Sequence, residues 1–194
     1  MKSKIIALFL VAFTTLSMNA QTTVSGVKLD SKLSLEGKDL TLNGAGTREK
    51  FFMDLYVGSL YVTKKSSNAQ EIIDSKDAAA MKLNIVSGMI TSDKMISAIN
   101  DGFENSTGKN TASLKTKIDK FKGFFKEKIV KGDVFIIMYD GDDVSVFKNG
   151  TKKKFSINPC HSASAARVRI FLHAIRFTKV MQIKSLNCSI IQNI

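Results

Sequence analysis

Alternation of apolar and polar side chains predicts a strand between Phe51 and Val62. One side of this strand is almost wholly apolar, so we expect it to face a core. That side consists of Phe51, Met53, Leu55, Val57, Ser59 and Tyr61. The other side adds a carboxylate and a phenol to apolar side chains, which indicates a partly polar cleft. It consists of Phe52, Asp54, Tyr56, Gly58, Leu60 and Val62.

Shorter runs of the same kind predict further strands of a sheet. They are Thr22–Leu29, Leu33–Leu42, Met81–Val86, Asp133–Tyr139 and Val144–Lys148. The last two flank an acidic, glycine-containing run at 140–143 that is typical of a hairpin turn. This run lacks the distant glutamate of a calcium-binding loop, so we predict no metal there.

Three segments predict helices. The first is Ala69–Ser75, with Asn68 as its N-cap, and the second runs from a capping Ser92 to about Glu104. The third, about Thr111–Lys128, has an apolar stripe and many lysines on its other side. Those lysines indicate a solvated face. Asp119 and Glu127 count against the alternative, a surface for a membrane or a partner. Strands followed by helices and a hairpin predict an α+β domain, an antiparallel sheet with helices packed on one face.

The first 20 residues have the layout of a secretory signal peptide. Lys2 and Lys4 precede the apolar run Ile5–Phe13, and Ala20 ends a suitable cleavage site before Gln21. The apolar run is shorter than the roughly 20 residues of a spanning helix, which favours cleavage over an N-terminal membrane anchor. We therefore expect an exported protein, periplasmic or extracellular in a bacterial source, with no stable transmembrane segment after cleavage.

The formal net charge of +12 is distributed unevenly. Residues 21–154 carry a net charge of only +5, which is ordinary for a protein surface, and no recognition motif predicts a nucleic-acid partner. Residues 155–194 carry five basic residues and no acid. This break predicts a domain at 21–154 and an atypical basic tail at 155–194, which arose by a reading-frame change or by divergence.

The tail contains all the cysteines and histidines of the chain, namely Cys160, His161, His173 and Cys188. An exported protein can hold a disulfide between the two cysteines, and the sequence leaves open whether it forms. The four residues lack the compact spacing of a metal site, so no metal is predicted.

Several motifs, in this order, resemble the chalcone isomerase-like family. They are GAGTR at 44–48, YVGSLYV at 56–62, the helix Ser92–Glu104 and the block Phe121–Gly150. The resemblance extends from about Val24 to Lys154 and implies an open-faced β-sandwich. The glycine- and tryptophan-bearing segment that closes the family's fold is not found in the tail.

The resemblance also implies a ligand site at Arg48 and Tyr56. In the fatty-acid-binding branch of the family, an arginine and a tyrosine of this kind hold the acid's head group, and a guanidinium offers a planar fork of donors to a carboxylate. We hypothesise that Arg48 and Tyr56 bind a fatty acid or a similar amphipathic carboxylate. Phe52, Leu60 and Ile99 are expected to line the site of its tail.

This hypothesis has a geometric requirement and a competing explanation. An unbroken strand would separate Arg48 from Tyr56 by about 26 Å, so the chain has to bend or turn between them, most readily at Glu49-Lys50. The competing explanation is a salt bridge from Arg48 to Asp54 or Glu49, worth about 0–1 kcal/mol if exposed. For Tyr56, the competing explanation is that its ring packs in the core and does not contact a ligand.

Enzymatic activity is the second functional hypothesis. Plant chalcone isomerases cyclise a chalcone to a flavanone with a tyrosine and an asparagine of the central helix, whereas Thr91 and Ala98 occupy those places here. Tyr56 stands where these enzymes carry a threonine. We therefore predict a non-catalytic binder without a cofactor, with an intramolecular lyase or isomerase as the alternative. A third hypothesis, an envelope scaffold, predicts a filled core without a cleft.

Overall fold

The computed structural model of the protein describes residues 22–156 except for 76, 108 and 142. The predicted signal peptide and residues 157–194 of the predicted basic tail, with Cys160, His161, His173 and Cys188, lie outside these residues, and their predictions are not tested by the fold.

The described residues form nine strands and three α-helices. The strands are β1 (Thr22–Val24), β2 (Val27–Leu29), β3 (Lys32–Leu35), β4 (Lys38–Lys50), β5 (Met53–Val62), β6 (Ala79–Ile85), β7 (Val134–Asp140), β8 (Asp143–Lys148) and β9 (Thr151–Ser156). The helices are α1 (Ala69–Asp74), α2 (Ser92–Ser106) and α3 (Lys115–Gly123), the last preceded by a 3₁₀ turn at Ala112–Leu114. Strands β3 to β9 form one antiparallel sheet in chain order, and β1 pairs with β2 alone. The predicted α+β class is confirmed.

Tight turns divide two of the predicted strands. Gly26 and Gly37 have φ angles of 77° and 74°, a region that glycine enters without steric cost. Each turn reverses the chain, so that Thr22–Leu29 becomes β1 and β2, while β3 and β4 replace Leu33–Leu42. Strand β9 was not predicted, because its lysine-rich sequence has no apolar alternation.

The sheet curls around one of its own faces. Leu33 and Leu35 of β3 pack in one cluster with Met138 of β7 and Phe147 of β8, although several strands separate them in the sheet. Ion pairs join the same regions: Lys38 lies 3.2 Å from Asp140, and Lys152 contacts Glu36. The sheet is therefore a half-barrel with a filled concave side.

Tyr61 ties the N-terminal segment to this concave side. Its ring is fully buried, and its hydroxyl donates to the Asp30 carbonyl oxygen at 3.0 Å. Burial raises the pKa of the Tyr61 hydroxyl. Lys82 adds an ion pair of 3.0 Å to the Asp30 carboxylate, so both groups of Asp30 are held where β2 meets the sheet.

Helices α2 and α3 cover the other face of the sheet through the apolar stripes predicted for them. Met95 and Phe103 of α2 and Ile118 and Phe121 of α3 are buried in one cluster with Phe135 of β7. The cap of α2 differs from the prediction, because the Thr91 hydroxyl accepts the N–H of Lys94 at 3.3 Å. The Ser92 hydroxyl instead donates to the Phe125 carbonyl and joins the start of α2 to the end of α3.

Helix α3 is shorter than predicted and ends at Gly123. The next residues form turns that bring Phe125 back onto the cluster, where 1% of its side chain is exposed. The ring centroids of Phe125 and Phe121 lie 5.4 Å apart, and those of Phe125 and Phe135 lie 5.2 Å apart. Aromatic packing of this kind adds to the stabilisation that comes from burial alone.

Asp133 is a buried carboxylate at the entrance to β7, with 6% exposure. Its oxygens accept the N–H of Val130 at 3.0 Å and the side-chain amide of Asn149 at 2.9 Å. Lys148 lies 3.4 Å away. Burial acts to raise the pKa of Asp133, but the hydrogen bonds from Asn149 and Val130 and the Lys148 charge outweigh it, and the pKa lies below its usual value.

Candidate functional site

A hairpin turn brings Arg48 and Tyr56 together. The turn lies at Phe51-Phe52, just beyond the Glu49-Lys50 position that was predicted, and it reverses β4 into β5. Arg48 and Tyr56 are direct cross-strand partners in the resulting ladder. Side chains in such positions start from Cβ atoms about 4.5–5.5 Å apart, so the two residues can contact one head group.

A β-bulge next to this pair changes the direction of one side chain. Arg48 pairs with Tyr56 but Glu49 pairs with Asp54, which leaves Leu55 without a partner in the ladder. Leu55 and Tyr56 both lie in the cluster under the helices, each 7% exposed. The predicted alternation, which put Leu55 on the opposite face, is wrong at this residue because a bulge inserts one extra residue into the strand.

The bulge also holds the segment that leads into α2. The Leu55 carbonyl oxygen accepts the N–H of Val86 at 3.1 Å and that of Ser87 at 3.2 Å. Residues 86–91 are thereby fixed beside the β4–β5 hairpin.

A cavity of about 350 Å³ lies between the sheet, α2 and the end of α3. This volume is near the lower end of the range for small-molecule sites. The lining residues are Arg48, Lys50, Phe51, Leu55, Tyr56, Leu83, Met89, Ile90, Lys94, Met95, Ser97, Ala98, Ile99, Asp101, Phe103, Phe121, Phe125 and Ile137.

The cavity is apolar at depth and charged at its mouth. Its deep part is formed by buried side chains such as Phe103, Phe125 and Ile137. Lys50, Lys94 and Asp101 line the exposed part. Arg48, at the same mouth, is half-buried. Three cations and one carboxylate give the mouth a positive charge.

The salt bridges considered for Arg48 are not formed within the described part of the chain. No ion pair there includes Arg48. Glu49 and Asp54 are exposed and face each other across the ladder instead. Among the described residues, the Arg48 guanidinium therefore has no carboxylate partner.

A family model described as chalcone isomerase-like matches residues 21–175. The chain belongs to the chalcone isomerase-like family. The match includes every described strand and helix and extends past Lys154 into the predicted tail.

A solved structure supports the same fold for this chalcone isomerase-like protein. The chain is similar to the crystal structure of a fatty-acid binding protein of Arabidopsis thaliana. The TM-score is 0.59 and the identity 16%, over 77% of this chain and 86% of that chain. A likeness at this identity concerns the fold. No curated protein matches the sequence.

Two positions that carry polar groups in the plant enzymes have other roles in this chalcone isomerase-like protein. The Thr91 hydroxyl caps α2. Ala98 lines the cavity with a methyl group only. Neither residue offers the phenol or amide of those enzymes to a ligand.

The structure places three of the five predicted site residues in the cavity. Arg48, Tyr56 and Ile99 line it, and their contact with a ligand stays a prediction. The placement of Phe52 is wrong, because this residue stands in the turn with its side chain 105% exposed. The placement of Leu60 is also wrong, because its side chain packs in a separate cluster with Met81.

Sequence reasoning missed three lining residues with a bearing on a ligand: Phe51, Lys50 and Lys94. Phe51 takes the place predicted for Phe52 because the turn interrupts the alternation. No local signal marks the two lysines, since only the packing of α2 beside the hairpin brings them to one mouth.

The described ranges also bear on a metal site and on a membrane-spanning helix. No group of three or more His, Cys, Asp and Glu side chains there could hold a metal ion. None of the helices in that part of the chain is both long and apolar enough to span a membrane.

Proposed function

We propose that this chalcone isomerase-like protein binds a fatty acid or a similar amphipathic carboxylate in the cavity between α2 and the sheet. The observation that carries the proposal is the position of Arg48. It is a half-buried cation beside Tyr56, without an ion pair in the described part of the chain, at the mouth of an otherwise apolar cavity.

Electrostatics at the mouth support a carboxylate as the head group. A guanidinium can donate two parallel hydrogen bonds to a carboxylate, and partial burial strengthens them because water competes less. Lys50 and Lys94 add positive charge at the same mouth, against one carboxylate from Asp101. An anionic group is therefore favoured there over a neutral one.

The deep part of the cavity supports an apolar tail. Phe103, Phe121 and Phe125 enclose it together with the aliphatic side chains of Leu83 and Ile137. Transfer of hydrocarbon from water to such surroundings is favourable by about 25 cal/mol per Å². The structural neighbour from Arabidopsis thaliana is described as a fatty-acid binding protein, which agrees with the proposal.

Replacing Arg48 by alanine is expected to weaken fatty-acid binding by about ten- to a hundredfold. The loss corresponds to a charge-assisted hydrogen bond of about 1.5–3 kcal/mol. Isothermal titration of the delipidated protein with a saturated fatty acid measures it. An Arg48→Lys variant should be intermediate, because it keeps the charge and loses the planar fork.

Two controls accompany this titration. Lys28→Ala removes an exposed lysine of β2 outside the cavity and should leave the affinity unchanged. A fatty alcohol of the same chain length should bind the wild type and Arg48→Ala equally, because it has no carboxylate. Unchanged affinity of Arg48→Ala for the acid would remove the head-group role.

An intramolecular lyase or isomerase is the second candidate. Lys94, Ser97 and Asp101 reach the cavity from α2, whereas Arg48 reaches it from β4, so polar groups flank a ligand from two elements. This activity is tested by incubating the protein with a chalcone and measuring the decrease in the absorbance of the chalcone. Turnover that disappears in Arg48→Ala would favour the enzyme over the binder. The cavity itself counts against the scaffold hypothesis, which requires a filled core.

The proposal includes export, on the basis of the pattern of the first 20 residues. Fractionation of the native host and determination of the mature N-terminus test it, with cleavage expected before Gln21. An intact N-terminus in the cytoplasmic fraction would contradict export without affecting the binding site.

A further inference from the structure

The tip of the β4–β5 hairpin presents two exposed phenylalanines beside the cavity mouth. Phe51 is 74% exposed and Phe52 is 105% exposed, and Met53 and Met89 are 43% and 37% exposed. Phe51 and Met89 also line the cavity. Among the described residues, the fifth large apolar side chain with high exposure is Val130, which precedes β7. The exposed apolar surface is thus concentrated at the mouth.

The backbone of the tip is unfavourable for these side chains. Phe51 and Phe52 have φ angles of 50° and 62°, in the left-handed region that disfavours bulky residues. Two-residue turns with this backbone usually contain Asn-Gly or Asp-Gly. Two phenylalanines at these positions reduce stability and bury little surface, so their side chains suit a function outside the fold.

Two lysines lie beside this apolar tip and the adjacent cavity mouth. The Lys50 ammonium lies 5.4 Å from the centre of the Phe51 ring, and Lys94 donates to the Met89 carbonyl oxygen at 3.0 Å. The bond from Ser92 to the Phe125 carbonyl places Lys126 next to the start of α2. Lys126 belongs to a basic segment with two acids, Asp119 and Glu127, and the lysines Lys115, Lys117, Lys120, Lys122, Lys126, Lys128 and Lys131.

Acidic residues lie on the same hairpin and helix as the two lysines beside the tip. Glu49 and Asp54 face each other one residue pair behind the turn, and Asp93 and Asp101 lie on α2. Among the charged residues that line the mouth beside the tip, however, Arg48, Lys50 and Lys94 outnumber Asp101. The mouth therefore has an excess of positive charge, which complements an anionic surface.

We propose that the hairpin tip docks the cavity mouth onto an anionic lipid bilayer. Phe51 and Phe52 insert at the level where head groups meet acyl chains, and the neighbouring lysines contact phosphate groups. Apolar aromatic side chains flanked by lysines are typical of proteins that bind this interface. Each lysine near an anionic surface contributes favourably, and salt screens that contribution.

Docking would place the cavity in contact with the source of an amphipathic acid. A fatty acid could then pass from the bilayer past Arg48 without crossing water. This transfer step rests on the proposed function, whereas the docking itself does not depend on it.

Sedimentation of the full chain with vesicles of phosphatidylcholine and phosphatidylglycerol tests the docking. Phe52→Gly should lower the partition coefficient about tenfold, because one large apolar side chain no longer enters the interface. Phe51→Asn/Phe52→Gly should lower it further and raise the midpoint of thermal unfolding, because Asn-Gly suits the turn. Loss of binding in a more stable protein excludes misfolding as its cause. Thr63→Gly removes an exposed side chain at the opposite end of β5 and is the control, which should bind like the wild type.

A fluorescent reporter gives an independent measurement, because the chain contains no tryptophan. In Phe52→Trp, vesicles should shift the emission to shorter wavelength, and brominated lipids should quench it. In Thr63→Trp, at the opposite end of β5, they should have neither effect. High salt, or vesicles of phosphatidylcholine alone, should reduce sedimentation of the wild type.

Three outcomes would overturn the proposal: no sedimentation of the wild type, equal sedimentation of the Asn-Gly variant, or Phe52→Trp emission that vesicles leave unchanged. A wild-type protein that forms a stable complex with a protein partner and does not sediment with vesicles would count as the first of these outcomes. Arg48→Ala separates this proposal from the proposed function, since it should lose fatty-acid affinity and still sediment. Phe52→Gly should do the reverse, because Phe52 lies outside the cavity.

Discussion

Replacing Phe125 by alanine is expected to lower the free energy of unfolding by about 3–5 kcal/mol, the usual cost of truncating a buried phenylalanine. The side chain is 1% exposed and lies between the rings of Phe121 and Phe135. Its removal takes away both the transfer free energy of the ring and the contacts of its neighbours. Urea denaturation followed by circular dichroism measures the change.

The position of Phe125 on the cavity wall makes a second readout available. The space left by the ring would join the existing cavity, so the variant should accept a bulkier apolar tail than the wild type. Phe52→Ala is the matched control, because it makes the same chemical change where the side chain is 105% exposed. The control should change stability by no more than about 0.5 kcal/mol. A Phe125→Ala protein as stable as this control would contradict the packing described for the helices.

Replacing Asp133 by asparagine is expected to lower the free energy of unfolding by about 2–4 kcal/mol at neutral pH. The carboxylate accepts hydrogen bonds from Val130 and Asn149 and lies beside the Lys148 ammonium. An amide of the same shape would turn donor hydrogens toward at least one of these donors. It would also leave Lys148 without its buried anionic partner.

The effect of Asp133 should depend on pH with a defined sign. Its folded pKa is lower than its unfolded value, because the hydrogen bonds and the Lys148 charge outweigh burial. The group therefore stabilises the fold fully above the unfolded pKa of about 3.9, and this stabilisation is lost as pH falls through the folded pKa. The difference between wild type and Asp133→Asn should be largest near neutral pH and should diminish in acid.

Asp119 provides the control for this pH series. Its hydrogen bond with Lys122 also lowers its pKa, but the carboxylate lies on the exposed side of α3. Solvent screens such a pair, so Asp119→Asn should affect stability much less than Asp133→Asn. Equal effects of the two substitutions, or a constant difference down to low pH, would contradict the stabilisation assigned to the hydrogen bonds and the Lys148 charge at Asp133.

Hydrophobic periodicity predicted the layers of this fold because periodicity records burial directly. The stripes on α2 and α3 and the alternation within β5 were correct for most residues. Strand β9 was not predicted, because its lysine-rich sequence shows no alternation of apolar and polar residues. The closing of the half-barrel could not be predicted from the sequence either, because contacts such as that between Glu36 and Lys152 join residues far apart in the chain.

The site was predictable where a motif marks it and not where backbone geometry decides. Arg48 and Tyr56 were identified from the resemblance, and the need for a turn between them followed from strand dimensions. The position of the turn did not follow, because phenylalanines are poor residues for a left-handed backbone and carry no turn signal. The bulge at Leu55 also lacks a sequence signature, so the position of Leu55 in the cluster under the helices was not predicted. Phe52 lies in the turn, and Leu60 packs farther along β5 in a separate cluster.

The Leu55 carbonyl has a mechanical consequence for the cavity. One backbone oxygen holds both the strand that carries Tyr56 and the segment that leads to Lys94. The two walls of the cavity are consequently pinned at a common point close to its entrance. Widening of the entrance therefore has to pivot about this oxygen or break its bonds.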